Sequence, residues 1–235
     1  MTMKIGIMQP YFFPYIGYFD LINLCDKWVV FDSVQYIRHG WVNRNRILHP
    51  AGGWKYVIVP VQKHSRKTFI HDINICFDFN WQDRILGQIQ HYKKSAPYFN
   101  EACQIVQSCL TMEEKSISKL NVSILAKICS YIDIQFDYLF FSEMDLQLGE
   151  IYEPGDWALQ IAEAMNASEY INPSGGIKLF DEEKFKQKKI KLTIRKVPQL
   201  RYRCSNYEYV PDLSIIDVLM WNSPETVKQH LDKYR

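Results

Sequence analysis

The order of elements at the start of this chain constrains its fold more than any other feature. A β-branched segment at 4–9 is followed by a proline-rich stretch at 10–17, an amphipathic segment at 18–24 and a second apolar run at 27–31. Strand, loop, helix and strand at this spacing form a βαβ unit, because parallel neighbours need a crossover and a helix supplies it. The unit predicts a parallel sheet, and open parallel sheets bind ligands beyond the carboxyl ends of their strands. The 10–17 stretch and the segment after Phe31 both leave from those ends, so they are expected to face one crevice.

Alternation continues along the chain. Segments 54–61 and 69–75 read as strands around a solvated turn at 63–67, a small antiparallel extension. Helical patterning falls at 81–91 and 116–131, where Ile117, Leu120, Ile124, Ile128 and Ile132 recur at helical spacing and mark a core helix. Strands at 135–141, 169–172 and 190–197 then alternate with helices at 156–167 and 181–188. An apolar helix at 213–222 precedes a last helix opened by Ser223-Pro224-Glu225. The expected architecture is one α/β domain over 1–235 with a parallel-type sheet, a small antiparallel extension and C-terminal helices. Residues 80–132 would form a smaller helical lobe.

With 28 Lys+Arg against 26 Asp+Glu, the formal charge of +2 is too balanced for a chain that neutralises a phosphate backbone, so nucleic acid is not an expected partner. Six cysteines without a CxxC pair read as reduced packing thiols, and with no signal-like segment they imply a cytoplasmic protein. No apolar run approaches the ~18 residues of a membrane span, so no insertion is expected. The six histidines are scattered without an HExxH, and no GxSxG elbow occurs, so neither a metal site nor a serine triad is expected. The 15 tyrosines are rings with one wet, hydrogen-bonding end, suited to lining a pocket.

Three segments could carry chemistry. In the first, Gln9, Pro10, Tyr11, Phe12, Tyr15, Gly17 and Tyr18 crowd a strand-to-helix turn. Its prolines pre-set the backbone, and Gly17 permits close approach at a helix start, where free N–H groups attract anions. The alternative is a stiff aromatic plug between helix and sheet. In the second, Asp32, Gln35, Tyr36, Arg38, His39, Trp41, Asn43, Arg44 and Asn45 follow the second strand and offer guanidinium forks and orienting amides to an anionic substrate. Here Arg38 and Arg44 would neutralise charge, Asn43 and Asn45 would orient a carboxylate, and His39 or Asp32 would take a proton. Arg46 reads as part of a strand beginning at Ile47-Leu48. The third segment, Ser174, Gly175, Gly176 and Lys178, is an anion-binding turn or a plain one. Asp217, flanked by Ile215, Ile216, Val218 and Leu219, is expected to face outward or bond to a cap.

Four motifs together resemble the WbqC-like family. They are Met8-Gln9-Pro10-Tyr11-Phe12-Phe13-Pro14-Tyr15-Ile16-Gly17-Tyr18-Phe19, Trp41-Val42-Asn43-Arg44-Asn45, Tyr170-Ile171-Asn172 with Ser174-Gly175-Gly176, and Asp212-Leu213-Ser214-Ile215-Ile216-Asp217. The resemblance implies a bacterial protein of surface-polysaccharide (O-antigen and capsule) biosynthesis, with a suggested role as a glycine transferase. The first βαβ unit is also similar in layout to nucleotidylyltransferase-like folds, with Tyr15-Ile16-Gly17-Tyr18 where that family has a phosphate-holding His-x-Gly-His turn. Together these imply an enzyme that joins a small carboxylic acid, such as glycine, to the amine of a nucleotide-linked amino sugar, with ATP and magnesium as the means of activation. The rivals are a nucleotidyl- or glycosyltransferase acting on a sugar phosphate, and a non-catalytic scaffold of polysaccharide assembly.

Overall fold

The structure, a computed structural model, describes residues 2–235. Five parallel strands, β1 (Lys4–Met8), β2 (Lys27–Val30), β5 (Tyr138–Phe140), β6 (Glu169–Pro173) and β7 (Lys191–Arg195), lie in the order β5-β2-β1-β6-β7. Counted along the chain, this is third, second, first, fourth, fifth, the doubly wound order. Its direction reverses between β1 and β6, and a crevice opens there because the connections leave the two strands toward opposite faces. A separate antiparallel pair, β3 (Arg44–Leu48) with β4 (Trp54–Ile58), registers Arg46 opposite Tyr56.

Period-two alternation divides the core into two layers. Ile5, Ile7, Val29 and Tyr170 face one side, where they pack with Ala158, Leu159, Ile161 and Ala162 of α5 (Asp156–Ala164) and Phe185 of α6 (Glu182–Gln187). Trp28, Val30 and Ile171 face the other. There they meet α1 (Ile16–Leu24), and the same apolar cluster runs through α2 (Trp81–Ile89), α3 (Phe99–Leu110), α4 (Ile117–Tyr131), α7 (Ile215–Trp221) and α8 (Pro224–Asp232). Asp20 of α1 is buried and makes a bidentate ion pair with Arg195 at the end of β7, at 2.8 Å for both bonds. This pair fixes the carboxyl end of β7 against the helix, and Tyr234 O accepts from the same guanidinium.

The 69–75 stretch is not a strand. Ile70–Asp72 forms a 3-10 turn, and the flanking backbone is divided among Gln35, Val61 and Ser116 in isolated bridges. With Ile70 and Ile73 both buried, the three-residue spacing suits that turn, and no single neighbour offers a ladder. The antiparallel partner of β4 is instead the segment that begins at Arg44. Helix α3 has no counterpart in the sequence reading; its apolar side rests on Phe99, Ala102, Val106, Cys109 and Leu110.

Gly6 in β1 is required by packing. A Cβ there would stand 2.7 Å from Trp28 Cζ3 and 3.0 Å from Cys25 Sγ. Gly6→Ala is expected to destabilise the fold by about 2 kcal/mol, the scale of overpacking in a dense core. A urea midpoint equal to that of the wild type would show that the indole can move aside.

Candidate functional site

The turn after β1 is fastened by its carbonyls. Tyr18 Oη donates to Gln9 O, and Asn121 Nδ2 donates to Pro10 O at 2.8 Å and to Val42 O at 2.7 Å. Asn45 Nδ2 reaches Phe12 O and Phe13 O, both at 3.0 Å, and Ser214 Oγ donates to Phe13 O at 2.7 Å. The N–H of Ile215 donates to Pro14 O at 2.8 Å, and that of Phe12 to Trp41 O at 3.0 Å. Phe13 has φ = 38°, a left-handed conformation that a bulky residue holds only when its surroundings over-determine it. The rings of Phe12 and Phe13 are fully buried against each other, edge to face at 4.9 Å, while Tyr11 and Tyr15 remain half-buried at the surface of the turn.

Those two rings line a cleft of about 500 Å³ at the carboxyl ends of β1, β6 and β7. Met8, Tyr11, Tyr15 and Trp41 form one wall; Ser174, Gly175, Lys196, Tyr202, Tyr209 and Asp212 contribute the others. The cleft therefore sits at the reversal of strand order. A recess of about 210 Å³ extends it toward Pro14, Asn45 and Arg46. Arg46 Cζ lies 5.3 Å from the Trp41 ring centroid and 5.2 Å from that of Trp54, and one terminal nitrogen donates to Asp212 O at 3.1 Å. Its Nε is buried and has no partner, so a donor there is left for a bound acceptor. Beyond Tyr11 a second chamber of about 520 Å³ is lined by Met8, Gln9, Phe31, Trp157, Asn172 and Phe180. Burial holds the Tyr11 and Tyr15 phenols above their ordinary pKa, so both are neutral hydrogen-bonding groups. Helix α1 begins at this cleft with Tyr15 as its N-cap, and no side chain closes its first turn. The Tyr15 ring packs over Gly17, where a Cβ would come within 2.4 Å of Cε2.

The structure distributes the expected site residues among four settings. Gln9, Tyr11, Tyr15, Trp41, Ser174 and Gly175 line the cleft or its second chamber, with Gly17 directly under Tyr15. Pro10, Phe12, Tyr18, Asp32 and Asn45 are buried with internal partners and hold the turn or the sheet together. Asp32, considered as a base, accepts from Ser142 N at 3.0 Å, Ser142 Oγ at 2.8 Å and Ser118 Oγ at 3.3 Å, and so ties β2 to the segment after β5. Asn45, considered as a carboxylate-orienting group, holds the two turn carbonyls with its amide. Tyr18, aligned with a phosphate-holding histidine, gives its hydroxyl to Gln9 O inside the core.

Gln35, Tyr36, Arg38, His39, Asn43 and Arg44 line a different groove. The crevice expected to unite both segments thus receives Trp41 and Arg46 from the second one, but not Arg38 or Arg44. Arg44 and Asn45 lie on β3 rather than on a loop, and a strand sends successive side chains to opposite faces. Gly176 packs against Asn172, where a Cβ would meet Nδ2 at 2.3 Å, and Lys178 is exposed and lines none of these cavities. Arg46, read as a strand residue, is on β3 and also lines the recess, and the contributions of Lys196, Tyr202, Tyr209 and Asp212 were not among the expected site residues. One signal for Lys196 and Tyr202 was available, since both follow β7 at its carboxyl end. Among the described residues, no group of three or more His, Cys, Asp or Glu side chains could hold a metal ion.

Asp217 does not face outward. It is buried on α7, accepts from Tyr92 Oη at 2.5 Å and from Tyr202 Oη at 2.7 Å, and so braces one cleft tyrosine from behind. Desolvation pushes its carboxyl up to about 6, against the opposing pull of the two phenols. The folded protein therefore holds this proton more tightly than the unfolded chain. The stability this confers is complete below the ordinary value of 3.8 and is lost as pH rises through about 6. Asp217→Asn removes the titration. Relative to that variant, the wild type is expected to lose up to about 3 kcal/mol between about pH 4 and about pH 7 in urea melts; parallel curves would contradict the shift. Asn45→Ala, which frees two turn carbonyls, is expected to cost about 2 kcal/mol by the same measurement, and no loss would mean that water replaces the amide.

Comparison with known proteins places this geometry in a family. The uncharacterised protein Rv1507c of Mycobacterium tuberculosis (strain ATCC 25618 / H37Rv) is 27% identical over 218 residues, covering 92% of each chain. No solved structure gives a significant match. The WbqC-like protein family matches residues 9–229, from the fastened turn to the last helix, and the chain belongs to that family.

Proposed function

We propose that the protein is a transferase that binds a nucleoside-diphosphate amino sugar in the cleft between β1 and β6 and transfers a small acyl or aminoacyl group, such as glycyl, to the sugar amine. One observation carries the reading: a cleft of about 500 Å³ at the reversal of strand order, walled by aromatic rings and flanked by Arg46 and Lys196. Its volume suits a nucleotide sugar, and the rings of Tyr11, Tyr15 and Trp41 offer faces on which a base can stack. Neither Arg46 nor Lys196 is in an ion pair among the described residues, which leaves both for a diphosphate. The second chamber beyond Tyr11 gives the acyl donor a place against the same ring.

In the transfer, the amine nitrogen bonds to the acyl carbonyl carbon, the leaving group departs with its electron pair, and the amine loses one proton. Asp212, exposed in the cleft wall, is the carboxylate placed to receive it. The family's suggested association with glycine transfer and surface-polysaccharide synthesis supports the choice of acceptor.

A thermal-shift panel of nucleoside-diphosphate amino sugars, followed by mass spectrometry after addition of glycine and ATP with magnesium, tests this. Stabilisation by a nucleotide sugar is expected in the wild type, with at least about tenfold weaker binding in Lys196→Ala and Tyr11→Ala, and an amide product. If no nucleotide sugar raises the melting temperature, the cleft assignment fails; if one does but no amide forms, the acyl-transfer step fails.

A further inference from the structure

The groove that collected Arg38 and Arg44 is a site of its own. Its two lobes, of about 370 and 400 Å³, share Tyr36, Arg38 and His64, and none of their lining residues lines the cleft between β1 and β6. They gather Arg38, His39, Arg44, Lys63, His64 and Arg66, and no carboxylate lines either lobe. Among the described residues, none of these six side chains is in an ion pair, although eleven such contacts occur elsewhere. Four of the six, Arg38, Arg44, Lys63 and Arg66, are cationic side chain types, and like charges gathered in one concave surface without counter-ions raise the local potential, so the natural occupant is an anion.

Two of the groups are held in place. Arg44 lies over the Tyr56 ring at 4.1 Å, and its Nε and a terminal nitrogen donate to Gly40 O and His39 O. The turn that presents Arg38 and His39 is closed by Gly40 N donating to Ile37 O at 3.1 Å, with His39 at φ = 64°. His64 meets Tyr36 edge to face at 4.9 Å, and its Nδ1 is engaged with Gln62 O at 2.8 Å. Its Nε2 is buried without any partner. A rigid guanidinium, a left-handed turn and an orphaned ring nitrogen are what a preformed site shows before its ligand arrives.

We infer that this groove binds a phosphate-ester anion carrying more than one phosphoryl group, a pyrophosphate-type ligand, at a site distinct from the cleft. Cations spread over two connected lobes match several phosphoryl oxygens rather than one compact carboxylate, and guanidinium forks suit phosphate geometry. The inference does not depend on the transferase reading, since it uses none of the residues that line the cleft.

The test is calorimetric titration of the intact protein with inorganic pyrophosphate at low and high salt. It is repeated on Arg38→Glu/Arg66→Glu, on the milder Lys63→Ala/Arg66→Ala, and on Lys196→Ala as the cleft control. Sedimentation with phosphatidylcholine vesicles, with and without phosphatidylglycerol, distinguishes a soluble ligand from a lipid headgroup. The expected result is binding that weakens with salt, falls at least about tenfold in the groove variants and survives in Lys196→Ala. Co-sedimentation with anionic vesicles alongside pyrophosphate binding identifies a lipid source, and its absence a soluble one. Pyrophosphate affinity unchanged in folded groove variants, loss confined to Lys196→Ala, or no binding to either probe by the wild type overturns the inference.

Discussion

The capture of successive carbonyls in the turn after β1 is the interaction on which the rest depends. An irregular loop makes no ladder of its own, and its two prolines lack an N–H, so its carbonyls must find partners elsewhere or remain costly when buried. Here the partners come from far along the chain: Asn45 on β3, Asn121 on α4, Ser214 before α7 and the Ile215 amide. The turn thus acts as a hub into which β3, α4 and α7 are hydrogen-bonded. Phe13 can hold its left-handed backbone because four hydrogen bonds to its own carbonyl and the two beside it leave it no alternative. The same fastening fixes Tyr11 and Tyr15 as cleft walls, so core stability and site rigidity share one set of bonds.

Buried acids are resolved in three different ways, and each way assigns a role. Asp20 takes a guanidinium and ties α1 to β7. Asp32 takes a backbone amide and two serine hydroxyls and seals the carboxyl end of β2. Asp217 receives two phenols and no cation, the least compensated arrangement, and burial pushes its carboxyl up to about 6. Since Tyr202 belongs both to this pair and to the cleft wall, Asp217 braces that wall from inside the core.

The parallel sheet, the leading βαβ unit and the last helices were legible because each rests on local signals: apolar period, proline breaks and helix caps. What failed was whatever depends on partners distant in sequence. The 69–75 stretch carries the apolar content of a strand, yet three separate neighbours divide its backbone. Asp217 reads as misplaced on an apolar helix until Tyr92 and Tyr202 are brought to it from 125 and 15 residues away. Among the candidate site residues, the aromatic turn was readable because its composition is local. The arginine-rich segment was readable as a set of cations but not as a direction: Arg44 and Arg46 share one face of β3, and only the fold shows that Arg44 borders the groove while Arg46, two residues on, borders the cleft.

The phenols of Tyr15 and Tyr18 in the turn Tyr15-Ile16-Gly17-Tyr18 shape the electrostatics of the cleft. Tyr18 is withdrawn into the core by Gln9 O, and Tyr15 is held neutral by burial, so this turn supplies no positive charge to a bound phosphate. A diphosphate at this helix start would meet only the dipole of α1, which is worth a fraction of a full charge and fades within one turn. Full charges come instead from Arg46, gripped between Trp41 and Trp54, and from Lys196 at the end of β7. Both reach the cleft on anchored elements: β3 is tied by Asn45 to the turn, and β7 by the Asp20–Arg195 pair to α1, the helix that the turn opens. The rings set the shape of the site, and the cations that give it polarity are positioned by strands tied to the turn that bears the rings and to the helix it opens.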